Sequence, residues 1–332
     1  MTRSRLGILG CIALAGLILG ADRAESGPPK PKKGEGAPLG SKTPASVTSR
    51  ALAPYPLVVH HGAPFIELEV GGAKGLFLVD TGANVSGVDG AWLERTKATF
   101  KEAPGSSRVV GTSGSVTVTK VVFPRLDLGT GFFIDPVFNR QDFSRFSSPK
   151  EGPQIGLLGT DFLSCYQLAV DFGARTVEMR LAAERKPAPA GWKSLPVTYS
   201  PHPTVTVRIG PIEAPCRLDS GASYIDDKLF VDVNQPLVDA LTAKGVKLKE
   251  IKKIRMAGIG GSESLPVLEG EDAPLKLTLG PAVLEGAVLV VHRNGTFAIP
   301  EPVALAGSPL FSRLGRFVLD PFDKLFWVKA GK

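Results

Sequence analysis

The sequence predicts an all-β protein built from two related lobes, with only a few short helices. Three observations carry that expectation. Alternating runs of Val, Leu, Ile and Thr are broken throughout by turn residues, with Gly 38 and Pro 28 among 332 residues, a composition that interrupts helices and punctuates strands. A hydrophobic content of 43% suffices for two cores of ordinary size. From about Tyr55 onward the chain also repeats itself, so the lobes read as copies of one β-unit.

The N-terminus precedes the repeat. Met1 to Arg5 is short and basic, Leu6 to Ala21 is apolar or small, and Asp22 begins a polar stretch. This three-part layout predicts a signal peptide over 1–21 and export to the periplasm or the extracellular space. The apolar run is short for a bilayer span, which makes an uncleaved N-terminal anchor the lesser alternative. Residues 22–54 are rich in Pro, Gly, Ser, Lys and Ala and are expected to form a disordered linker or pro-like segment. The first lobe is then 55–183, an interlobe linker 184–196, and the second lobe 197–330.

Each lobe opens with a hairpin. His61 to Gly71 is an alternating strand ending in a glycine turn, and Ser200 to Gly210 matches it, with Pro64 opposite Pro203. The second strand of each hairpin runs into an acid: Leu78-Val79-Asp80-Thr81-Gly82-Ala83 in the first copy and Arg217-Leu218-Asp219-Ser220-Gly221-Ala222 in the second. Glycine-tipped hairpins follow, at Gly111-Thr112-Ser113-Gly114 and at Gly258-Ile259-Gly260-Gly261, the latter after a helix-like stretch from Gln235 to Lys244 with Leu237, Val238 and Leu241 on one face. Arg125 to Gly129 answers Lys276 to Gly280. The last block pairs Leu157-Leu158-Gly159-Thr160-Asp161 with Leu305-Ala306-Gly307-Ser308-Pro309, each followed by a hairpin containing Asp171 or Asp320.

An aspartate in such a turn ordinarily caps it. Capping alone gives no reason for acid, hydroxyl, Gly and Ala to recur together at the same point of both copies. These features together resemble the aspartic peptidase superfamily, its retropepsin-like branch in particular, over about Tyr55 to Val328. The resemblance implies two acid-protease lobes related by pseudo-two-fold symmetry within one chain, a pepsin-like arrangement that replaces a dimer. It implies that Asp80 and Asp219 share one proton and activate a water, since two close carboxylates do not both ionise cheaply. Thr81, Gly82, Ser220 and Gly221 would support the pair. Gly111, Thr112, Ser113 and Gly114, with Gly258, Ile259, Gly260 and Gly261, would form flaps over an extended peptide.

The function expected is therefore that of an exported aspartic endopeptidase acting on a peptide or protein substrate, a hydrolase with an acid-side bell-shaped pH profile. It would need no cofactor and no metal. The alternative is a catalytically inactive bilobal scaffold for peptide binding or for the envelope, suggested by the altered Ala306-Gly307-Ser308-Pro309 block. A net charge of +7, dispersed along the chain, gives no reason to expect nucleic acid, and no membrane contact is expected beyond the N-terminus. The chain is expected to act as a monomer with an internal pseudo-dimer. His60-His61 reads as a solvated loop and Phe132-Phe133 and Phe326-Trp327 as core. Cys165 and Cys216 occupy non-equivalent positions in the two copies, which leaves their pairing open.

Overall fold

The computed structural model describes residues 10–12, 45–46, 53–146 and 154–329. The expected signal peptide and linker therefore lie largely outside the described residues. From them come only residues 53–54, Ala45–Ser46, which pairs with Gly131 and Phe132, and Gly10–Ile12, which runs parallel to Arg255–Ala257. The rest is mostly strand, as the composition predicts, with few short helices.

Local sequence explains the opening hairpins. Ala63–Val70 alternates between buried and exposed positions, and the Gly71-Gly72 turn has φ of 60° and 82°, the left-handed pair that a tight two-residue hairpin needs. Pro203–Ile209 and Ile212–Leu218 repeat the device around Gly210, with φ of 53°. Outside the strands, the helix Gln235–Ala243 forms where expected. Asn234 accepts from Leu237 N at its start, and Leu237, Val238 and Leu241 are buried.

Two large sheets follow. In the first, the order across the sheet is Val58–His60, Ala63–Val70, Ala73–Val79, Gly156–Leu158, Gly87–Asp89, Val137–Gln141, Gly114–Val122 and Lys101–Gly111. In the second it is Thr198–Tyr199, Pro203–Ile209, Ile212–Leu218, Ala304–Ala306, Leu229–Asn234, Ala282–His292, Gly261–Gly270 and Leu248–Gly258, with Leu275–Leu279 joined to two of these strands. Eight strands follow the same order in both sheets, and the second carries Gly10–Ile12 in addition, beside Leu248–Gly258. In both, the strand that leads into an aspartate runs parallel to the strand that ends on Leu158 or Ala306.

A third sheet of six strands joins the halves. Its order is Trp192–Pro196, Leu325–Lys329, Arg316–Asp320, Gln167–Asp171, Thr176–Arg180 and Tyr55–Pro56. At its centre Leu168 pairs with Leu319 and Val170 with Phe317, so one contiguous core passes from one half to the other. Five of the thirteen residues of the expected interlobe linker thus form a strand: Trp192–Pro196 pairs with Leu325–Lys329. Asp171 and Asp320 cap their hairpins as expected, accepting from Ala174 N at 2.7 Å and from Phe322 N at 3.0 Å. His60 differs from the loop reading. It ends a strand and lies half-buried, its ring 5.0 Å from that of Phe65. Phe133, Phe326 and Trp327 are core, whereas Phe132 is half-buried beneath the Arg125 guanidinium at 4.1 Å. Cys165 and Cys216 are thiols and are not joined in a disulfide.

Candidate active site

Each aspartate is delivered by the same construction. Asp80 N donates to Leu158 O at 2.9 Å and Asp219 N to Ala306 O at 3.0 Å, which fixes the end of each delivering strand to its parallel neighbour. Behind the turns, Thr160 N donates to Ala83 O at 2.8 Å and Ser308 N to Ala222 O at 2.7 Å. Each carboxylate then closes its own turn: Asp80 Oδ1 accepts from Gly82 N and Ala83 N at 2.9 and 3.0 Å, and Asp219 Oδ1 from Gly221 N and Ala222 N at 3.0 and 2.9 Å. The sequence reading of a turn cap is therefore correct for one oxygen of each group and leaves the other oxygen free.

The turns also hold each other. Thr81 Oγ1 donates to Leu218 O at 2.7 Å and accepts from Ser220 N at 3.0 Å. In return Ser220 Oγ donates to Val79 O at 2.5 Å and accepts from Thr81 N at 3.0 Å. This reciprocal grip places each carboxyl over the opposite glycine. A Cβ on Gly221 would lie 2.5 Å from Asp80 Cγ, and one on Gly82 would overlap the Asp219 carboxyl outright. Only glycine lets the two loops approach this closely. Asp80 and Asp219 lie close enough to act on each other's ionisation, and both are fully buried.

Burial raises the pKa of both carboxyls. For Asp80, Asp219's charge adds to desolvation and the value rises well above the ordinary carboxylate range. Asp219 is pushed up to about 6, with Arg217 pulling it back down. The Arg217 guanidinium favours the ionised form of Asp219, the physical reason for which it ionises more readily than Asp80. Such a pair offers one acid and one base side by side, the requirement for activating a water and protonating a carbonyl oxygen in one step.

The residues expected in the flaps form two hairpin tips. Gly111 pairs with Gly114 across the tip of Thr112 and Ser113, and Gly258 with Gly261 across Ile259 and Gly260. The tips meet: a Cβ on Gly114, where φ is 139°, would lie 3.2 Å from Gly260 O. Ile259 crosses to the other half and is buried beside Phe65, Leu78, Val118 and Leu157. A cavity of about 540 Å³ opens there, between Val116–Thr119 of the first hairpin, Arg140 to Asp142, and Ile259-Gly260.

Residues 66–162 match the family model described as aspartyl protease, a stretch that holds Asp80, the first flap and Leu158-Gly159. That segment is of the aspartic peptidase superfamily. No curated protein matches it. A general aspartic protease activity, hydrolysis of peptides, follows for the matched segment.

Within this aspartic peptidase frame several residues escape motif reading. Asp161 clasps Ser86, accepting from its backbone N at 2.9 Å and its Oγ at 2.7 Å, while Ser86 Oγ accepts from Gly159 N at 2.8 Å. Burial holds Asp161 up at about 6 against those bonds. In the second half, Pro309 stands where Asp161 stands in the first. The polar centre there is instead Asp232, fully buried, which accepts from Tyr224 OH at 2.6 Å and lies 2.6 Å from His292 Nε2. Arg217 and His202 complete the set. The first could have been noticed as a cation two residues before Asp219; no sequence signal marks His202.

Proposed function

We propose that the chain is an exported single-chain aspartic endopeptidase whose Asp80 and Asp219 form one catalytic dyad, each supplied by one of two duplicated lobes. The observation that carries this reading is the reciprocal grip of Thr81 and Ser220, which brings the two carboxyls together over the opposing glycines. The coincident strand orders of the two sheets support the duplication. Asp219, the more readily ionised member beside Arg217, takes a proton from the attacking water, and Asp80 donates its proton to the scissile carbonyl oxygen. The two aspartates then exchange roles as the tetrahedral intermediate collapses and the amine leaves.

The free oxygens suit this chemistry. Asp80 Oδ2 and Asp219 Oδ2 are buried and unpaired with protein donors, while both Oδ1 atoms are held by backbone N–H groups. Substrate enters when the flap tips part, and Ile259 leaving its apolar seat frees the cavity beside Val116–Thr119 for an extended peptide. Since Asp219 ionises only near 6, the acid limb of the pH profile is expected near pH 6, higher than a solvent-exposed pair would give.

The test is hydrolysis of a mixed peptide library by the purified chain and by Asp80→Asn and Asp219→Asn. Loss of turnover in both variants, with folding intact, is the expected result. Undiminished turnover in either variant overturns the dyad. The scaffold alternative has one specific observation in its favour, the replacement of the Asp161 position by Pro309 in the second half. Peptide binding with no turnover by the parent at any pH from 4 to 8 would favour it.

A further inference from the structure

The strand that delivers Asp219 has two different faces. Ala214, Cys216 and Leu218 point into the core, whereas Glu213, Pro215 and Arg217 point away from it. Alternation places Arg217 on the same face as Asp219, two residues further along. The equivalent residue in the first half is Leu78, fully buried in an apolar cluster with Phe65, Leu157 and Ile259. One side of the site is therefore apolar and the other carries a guanidinium.

Arg217 Nη1 is buried and has no hydrogen-bond partner, and the same holds for Thr296 Oγ1. Both residues line one cavity of about 100 Å³, whose other walls include Pro215, Phe297, Ile299 and Leu305. Among the described residues, no carboxylate lines it. The charged or titratable groups that act on Arg217 are Asp219, Asp80, Cys216 and His202. His202 contributes no charge, because burial and then Arg217 itself push its pKa down to about 3. Cys216 is a neutral thiol, pushed up to about 12 by burial. The two aspartates bear at most one charge between them when the proton is shared. Here a cationic donor and a hydroxyl donor are left unsatisfied around a small space, an arrangement that costs free energy until an acceptor fills it.

We propose that Arg217 and Thr296 form a carboxylate-recognising subsite beside Asp219, so that the substrate is a peptide bearing an acidic group next to the cleaved bond on the Asp219 side. The inference rests on the peptidase reading given above. The carboxylate accepts from Arg217 Nη1 and from the Thr296 hydroxyl; the apolar walls of Phe297 and Leu305 take the methylene stem of a Glu or Asp side chain. A free C-terminal carboxylate presents the same chemistry.

The experiment uses a peptide series in which Glu or Gln occupies in turn each of four positions around the cleaved bond, each peptide made as the C-terminal acid and the amide. For the parent chain, Glu is expected to raise kcat/KM over Gln by roughly tenfold to a hundredfold at one position flanking the cleaved bond, as one charge-assisted hydrogen bond gives. A preference that instead follows the free terminus identifies the C-terminal carboxylate as the ligand. Arg217→Leu, which installs the first-half residue, should abolish the ratio, Arg217→Lys should keep part of it, and Thr296→Val should reduce it severalfold. The same peptides are titrated against Asp80→Asn by calorimetry, with and without Arg217→Leu. Absence of turnover by the parent refutes the peptidase reading, and the binding ratio still decides the subsite. Equal cleavage and equal binding of Glu and Gln peptides, or an acid preference that survives in Arg217→Leu, overturns the proposal.

Discussion

Replacing Asp219 with Asn is expected to abolish peptide hydrolysis and at the same time to stabilise the fold above pH 6. The Asp219 carboxyl has an ordinary pKa of 3.8 and is raised to about 6 by burial. Below 3.8 the folded and unfolded chains both hold the proton, and burial carries no ionisation penalty. Between 3.8 and about 6 the unfolded chain ionises while the folded one does not, so stability falls by about 1.4 kcal/mol per pH unit, to a total of about 3 kcal/mol above pH 6. Asn removes that term, and its amide oxygen can still accept from Gly221 N and Ala222 N. At about 2 to 4 °C per kcal/mol, the variant should melt roughly 6 to 12 °C above the parent at pH 8, the gain shrinking to nothing near pH 4. Paired calorimetric scans of parent and variant from pH 4 to 8 measure it. A difference that is constant across this range, or a variant less stable than the parent at pH 8, refutes the argument that a buried ionisation is the cause.

Other expectations concern the parts around the pair. Thr81→Ala removes the donor to Leu218 O and the acceptor of Ser220 N, both buried. It should cost about 2 to 4 kcal/mol by chemical denaturation, with most of it restored by Thr81→Ser. Gly221→Ala would set a methyl 2.5 Å from Asp80 Cγ and should lower kcat at least a hundredfold while secondary structure by circular dichroism is unchanged. Ile259→Ala forfeits much of the apolar burial that seats the second flap, worth about 1.5 to 3 kcal/mol. It should show as faster opening of the flaps by fluorescence of a probe placed at Ser113, and, because the seated side chain competes with substrate for the cavity, as a lowered KM.

The site was legible in the sequence where the chemistry recurs at a fixed offset. Thr81 and Ser220 stand 139 residues apart, and the same offset separates Pro64 from Pro203 and Asp80 from Asp219, so one alignment located both turns before any contact was known. The flap glycines needed one length change, since the second tip comes eight residues later in its copy, and positive φ at Gly114, Gly260 and Gly261 explains the residue choice. What escaped was set by tertiary contact. Trp192–Pro196 sits beside Pro187, Pro189 and Gly191, whose turn signal hid a strand that forms only because Leu325–Lys329 offers its edge. Alternation assigns Arg217 a face but says nothing of what surrounds it, and Asp232 meets Tyr224 and His292 only through the parallel pairing of Leu229–Asn234 with Ala282–His292.

The grip between Thr81 and Ser220 also bears on when the site can exist. A ribosome delivers the chain from its N-terminus, and domains fold in that order. Asp80 and its turn emerge early, yet their partners Leu218 O and Ser220 Oγ arrive 137 and 139 residues later. The joining sheet waits longer still, for Arg316–Asp320 and Leu325–Lys329. A nascent chain holds one aspartate with no mate, and two partial chains cut between the halves would each hold one of the two aspartates. Synthesis thus carries its own safety interval: the proposed hydrolase cannot attack its neighbours in the cell that makes it until the last strands have been made and docked.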